Sequence, residues 1–105
     1  MSGILPKPYE DIAVIVKDLK PGQYEVTLYF AEPVGVQLGE RVQNVYLQDA
    51  EVLKDFDILA TSHEPMKGVV IQRKDIVING TFKLRLTPVR GTTLISGVEL
   101  RRRPS

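Results

Sequence analysis

Thirteen acidic residues and a single histidine bound the chemistry open to this 105-residue chain. Cleavage of a glycosidic bond needs two carboxylates held at a set separation on either side of it. Asp55 and Asp57 would share a strand face at i and i+2, and Asp49 and Glu51 flank a turn. Acids this numerous fall into such pairs by composition alone, and solvated or turn-forming roles account for them. Asp57, just ahead of Ile58, suits a cap that accepts backbone hydrogen bonds at the start of the next segment. A lone His63 with no cysteine excludes multi-histidine and thiolate metal sites, and it is expected on a surface loop. Ser62 beside it points away on an extended chain, so the two do not form a nucleophile–base pair. No acid spacing resembles a calcium loop, and Gly35 and Gly39 lack the helix and lysine of a phosphate cradle. The residues predict no catalytic group, no metal and no cofactor.

Recognition of a sugar asks for different residues. The apolar face of a pyranose packs on an aromatic ring while polar side chains meet its hydroxyls. The chain has four tyrosines, three phenylalanines and no tryptophan. Phe30, Phe56, Phe82 and Tyr24 fall on faces expected to be inward. Tyr29 and Tyr46 suit ordinary cross-strand packing on outer sheet faces. Tyr9, at a strand entry, is the best candidate for stacking on a ligand.

Charge adds exclusions. Fourteen basic residues nearly balance the acids, for a formal charge of +1, so there is no global attraction to nucleic acid or to a membrane surface. Arg101-Arg102-Arg103 is the one basic run and is expected as a solvated tail or a linker. No apolar run approaches the ~20 residues of a bilayer span.

The elements that must position these groups are short strands punctuated by turns about every ten residues, the spacing of an all-β sandwich or barrel. Tyr9 to Lys17 alternates with Ile12, Val14 and Val16 inward, and Lys20-Pro21-Gly22-Gln23 forms a β-turn. Gln23 to Glu32 alternates strictly, putting Tyr24, Val26, Leu28 and Phe30 on one face, and Pro33 ends the pairing. Val34 to Gly39 is a loop. Arg41 to Gln48 follows with Val45 and Leu47 inward and Tyr46 outward. Asp49-Ala50 turns into a strand from Glu51 to Ile58. Leu59 to Lys67 is irregular, with room for one helical turn before Pro65. Gly68 to Arg73 and Asp75 to Ile78 are strands. Asn79-Gly80 predicts a type I′ hairpin, which also explains the Asn79-Gly80-Thr81 glycosylation sequon. Thr81 to Thr87 places Phe82, Leu84 and Leu86 on one face. Arg90 to Thr93 is a loop, and Leu94 to Leu100 is the last strand. Gln43 falls on the core face with Val45 and Leu47, where an amide must find partners or cost roughly 1–3 kcal/mol.

Four segments in order carry a family resemblance: Phe30-Ala31-Glu32, Arg41-Val42-Gln43-Asn44-Val45, Val52-Leu53-Lys54-Asp55-Phe56-Asp57-Ile58 and Leu94-Ile95-Ser96-Gly97-Val98-Glu99-Leu100. Together they resemble the malectin-like, di-glucose-binding domain family. The resemblance implies an all-β fold, a two-sheet antiparallel sandwich of jelly-roll, galactose-binding-like type, shortened at its N-terminus. It implies an accessory domain of an extracellular, periplasmic or lumenal protein. Three departures bear on the sugar site. Sugar-binding members carry aromatic residues after Phe-Ala-Glu, where this chain has Pro33-Val34-Gly35. They carry an acid before the last strand, where Gly91 and Thr92 stand here. They also draw aromatics from an N-terminal portion whose nearest match here is Tyr9.

The expectation is therefore one domain over 1–105, with linker-like ends at 1–8 and 101–105. It would be non-catalytic and bind an oligosaccharide weakly at the loop end of the sandwich. Tyr9 would stack there, while Gln37, Arg90 and Thr92 supply hydrogen bonds. Its other partners would be further domains of a parent polypeptide. The alternative is a structural or protein-interaction module without glycan affinity, such as a homodimer formed through an exposed sheet edge.

Overall fold

A computed structural model of the chain describes residues 11–104. Seven strands and one short helix follow in order: β1 (Ile12–Val16), β2 (Gly22–Ala31), β3 (Val42–Leu47), β4 (Ala50–Phe56), α1 (Ile58–Ser62), β5 (Gly68–Ile78), β6 (Phe82–Arg90) and β7 (Gly97–Arg102). They form two antiparallel sheets, one of four strands ordered β1-β6-β3-β4 and one of three ordered β5-β2-β7. The expected all-β sandwich is what the chain adopts. Among the described residues no helix is long and apolar enough to cross a membrane.

Alternation builds the interior. Tyr24, Val26, Leu28 and Phe30 of β2 are buried against Val45 and Leu47 of β3 and Phe82, Leu84 and Leu86 of β6. The Phe30 and Phe56 rings meet edge to face at 4.9 Å between centroids. Tyr24 keeps its hydroxyl satisfied by donating to Lys20 O at 2.7 Å. Thr27 of β2 points outward yet is buried, because β2 is the middle strand and Gln72 and Glu99 flank it on either side. On the outer face of the larger sheet, the Arg85 guanidinium lies 4.3 Å over the Tyr46 ring.

Several elements depart from the sequence expectation. Ile12 and Val16 pair with the buried Leu86 and Phe82, so they do face inward, yet they remain 43% and 36% exposed. The opposing sheet is one strand narrower, and β1 overhangs it. Asn79-Gly80 does not form a type I′ hairpin. Only Gly80 of the pair has positive φ, and β5 and β6 lie in different sheets, so the turn is an arch across the sandwich. The β3–β4 turn sits one residue earlier than expected, on Gln48 and Asp49, both with positive φ. Gln48 is fastened there: its amide donates to Thr81 O and accepts from Lys83 N. β5 is one continuous strand, accommodating an irregularity opposite Tyr24–Val26. Ile58 belongs to α1, not to the preceding strand, and β6 continues through Arg90.

The two chain ends also differ. Arg101 and Arg102 are part of β7, and Arg103 N donates to Gln23 O, so this basic run belongs to the ladder and is no linker. β7 itself starts at Gly97, not Leu94. The preceding segment is held by a side chain instead: Gln43 Nε2 donates to Leu94 O and Gln43 Oε1 accepts from Leu94 N, both at 2.8 Å. That pair resolves the inward amide, which is fully buried with a partner at both its nitrogen and its oxygen.

Candidate functional site

The connections differ sharply between the two ends of the sandwich. At one end run the short links 17–21, 48–49 and 79–81; at the other run 32–41, 57–67 and 91–96. This second end, the loop end, is where recognition surfaces of a sandwich gather.

A buried ion pair ties its loops together. Glu32, one residue past β2, is fully buried, and Arg41 Nε donates to its Oε1 at 2.8 Å. The same guanidinium reaches across to the 91–96 loop, where Arg41 Nη1 donates to Thr92 O at 2.9 Å and to Thr92 Oγ1 at 2.7 Å. Glu32 O also accepts from Met66 N at 2.7 Å, which adds the 57–67 connection to the bracket. Glu32 Oε2 and the nearby loop hydroxyl Thr93 Oγ1 are buried with no hydrogen-bond partner among the described residues. The loops approach closely: a Cβ at Gly91, where φ is +69°, would overlap the Glu40 carbonyl oxygen.

The 33–40 loop has its own fixings. Gln37 N donates to Glu40 Oε1 at 2.6 Å, and Glu40 N donates to Gln37 O at 3.1 Å. Gly39 N donates to Asp57 Oδ2 at 2.8 Å, while Asp57 Oδ1 caps α1 by accepting from Ala60 N. The capping role read for Asp57 thus holds, and the same carboxylate anchors a second loop. α1 ends with His63 in the left-handed conformation, its N–H donating to Leu59 O.

Two hollows flank the 33–40 loop. The polar one, about 240 Å³, is lined by Gly35, Val36, Glu40, Arg41, Gly91 and Thr92. The apolar one, about 400 Å³, is lined by Leu38, Leu59, Ala60, His63 and Pro65. Neither has a phenylalanine, tyrosine or tryptophan ring in its wall. Leu38, Val34 and Met66 are the most exposed apolar side chains on the adjoining loops.

Of the residues singled out by sequence, Thr92 lines the polar hollow, and Gln37 and Arg90 stand beside it. Gln37 is exposed, with its backbone in the turn closed by Glu40. Arg90, at the end of β6 and not in a loop, reaches Gly39. Tyr9 lies outside the described residues. Arg41 was missed, because its partners Glu32 and Thr92 come from separate connections and no local pattern announces them. Glu40 was missed although its partner Gln37 is local, because only the approach of the 91–96 loop makes it part of a hollow. The Phe-Ala-Glu segment did point at Glu32 without showing what it does.

The Malectin domain family model matches residues 14–101. Two curated relatives from Arabidopsis thaliana align with most of the chain. "Kinesin-like protein KIN-14R" is 31% identical over 93 residues, 85% of this chain and 8% of the relative. A protein named "Probable LRR receptor-like serine/threonine-protein kinase" is 36% identical over 84 residues, 73% of this chain and 8% of the relative. The chain therefore spans about 8% of the length of these relatives. In fold it is similar to the crystal structure of the ANX2 ectodomain from Arabidopsis thaliana, with a TM-score of 0.75 at 15% identity, covering 87% of this chain and 28% of that one. A second ANX2 structure superposes with a TM-score of 0.74, again at 15% identity, over 87% of this chain and 26% of that one. Because the family model matches nearly the whole described chain, this protein belongs to the malectin domain family.

Proposed function

We propose that this domain is a non-catalytic recognition module of a longer polypeptide, binding carbohydrate weakly through the polar hollow at its loop end. The observation that carries the reading is the Arg41 bracket. One guanidinium, held through Nε by a buried carboxylate and through Nη1 by Thr92, is fixed between two loops beside the Glu40 carboxylate, with Nη2 left without a partner among the described residues. Donors and acceptors set in advance are what a ring of hydroxyls requires. At about 240 Å³ the hollow is smaller than the roughly 300–1,000 Å³ of sites for drug-sized ligands, so it has room for one sugar ring. Without a ring wall to stack on, affinity in the millimolar range is expected.

The acids nearby support a binding role over a catalytic one. Glu40 accepts from Gln37 N, Glu32 is locked to Arg41, and Asp57 serves Gly39 and Ala60. Each of the three carboxylates holds a structural contact at the loop end. Titration calorimetry with gluco- and galacto-oligosaccharides tests the proposal. Millimolar binding that is lost in Thr92→Ala and Glu40→Gln supports it, and heats indistinguishable from buffer for every sugar overturn it.

A second reading, contact with a protein through the loop end, is favoured by the apolar hollow and the exposed Val34, Leu38 and Met66. Under that reading Leu38→Asp abolishes partner binding and leaves sugar heats unchanged.

A further inference from the structure

The unequal sheets leave a slot one strand wide. Arg73 Nη2 of β5 donates to Val52 O of β4 at 3.2 Å, so β5 and β4 share one flank of the sandwich. With orders β5-β2-β7 and β1-β6-β3-β4, β7 then lies over β6, and nothing among the described residues lies over β1. Ile12, Val14 and Val16 therefore form an inward-facing apolar strip that the second sheet does not reach. β7 pairs only with β2. Arg103 N donates to Gln23 O, so by alternation the backbone groups of Val98, Leu100 and Arg102 point away from β2, toward the open edge. Unsatisfied ladder groups beside uncovered apolar side chains are the two halves of a strand-accepting site.

We propose that this flank accepts an extended polypeptide strand, which pairs antiparallel to β7 and lays every second side chain over Ile12, Val14 and Val16. Charge sets its polarity. Lys17, Arg101 and Arg102 stand at the short-link end of the slot, whereas Asp11 at the other end is already paired with Arg85 at 3.7 Å. A strand running antiparallel to β7 enters at the basic end, so it carries acid at its start and apolar residues in alternation. A second copy joined β7 to β7 about a twofold axis does not fit. Each copy's β1 overhangs by one strand, about 4.8 Å of width, and would fall where the other's β6 stands.

The test uses the full chain and a synthetic peptide, acetyl-Asp-Glu-Val-Thr-Val-Thr-Val-Lys-amide, followed by amide exchange and methyl NMR. In the free chain the Val98 and Leu100 amides exchange as open-edge amides. Saturating peptide slows them by about tenfold or more and shifts the methyl signals of Ile12, Val14 and Val16. The peptide with its charges reversed end for end binds more weakly. Ile12→Lys with Val16→Lys, both at exposed positions, keeps the folded spectrum and weakens binding by about tenfold or more. The proposal is overturned by edge amides already protected in the free chain, by no methyl shift at millimolar peptide, or by a double variant that binds as tightly as the parent.

Discussion

Glu32 and Arg41 form the contact on which the loop end depends. Removing one member of a buried ion pair leaves the other charged, desolvated and alone, at a cost of about 3–5 kcal/mol. Glu32 is the fully buried partner and Arg41 is largely so, hence Arg41→Ala should lower unfolding free energy by about 3 kcal/mol or more in urea. Thr92→Ala removes only one exposed hydroxyl bond to the same guanidinium, and about 1 kcal/mol is expected. Equal losses for the two variants would contradict the bracket. Gln43 makes a parallel case. Alternation marked its amide as inward, and that was legible from Val45 and Leu47 alone. Its partner Leu94 stands 51 residues away, and no local rule reaches so far. Gln43→Leu should cost about 2 kcal/mol, because Leu94 N and O then stand without their partners; chemical denaturation measures it.

The strands were legible wherever one face was dry, because a two-residue period has only one way to bury Val26, Leu28, Phe82 and Leu84. Turn chemistry gave reversals but not sheet partners. Gly80 bends the chain as expected, and whether the next strand pairs beside β5 or crosses the sandwich depends on which surface Phe82 must fill. β1 shows the same limit: its pattern was right and its burial was not, since burial depends on how wide the opposing sheet is. Val16→Thr should therefore change stability by no more than about 0.5 kcal/mol, whereas Val26→Ala in the closed core should cost about 2 kcal/mol or more. Comparable losses in thermal or urea unfolding would mean that β1 is covered after all. Asp57 joins two elements through its two carboxylate oxygens. Asp57→Ala should destabilise by about 1 kcal/mol as a lost cap. It should also speed amide exchange at both Ala60 and Gly39, and a change at Ala60 alone would deny the link to the 33–40 loop.

Across the whole molecule, a small sandwich without disulfides gathers its long connections at one end and leaves its short links at the other. The residues expected to meet a sugar do not all lie in the wall of the polar hollow. Thr92 lines the polar hollow with Arg41 and Glu40 and no aromatic ring, while Gln37 and Arg90 only adjoin the lining residues Glu40 and Gly91. Membership in the malectin family was readable from four ordered segments, but a hollow built from two connections is a property of the closed fold. Its two hollows differ in chemistry, so a sugar and an apolar side chain would seat on opposite sides of the 33–40 loop. Mapping amide shifts of the full chain during titration with a gluco-oligosaccharide separates them. Perturbations confined to 35–41 and 90–93, saturating at millimolar sugar, are the predicted result. Shifts centred instead on Tyr29 and Tyr46 of the sheet faces, or none at all, would contradict recognition at the Arg41 bracket.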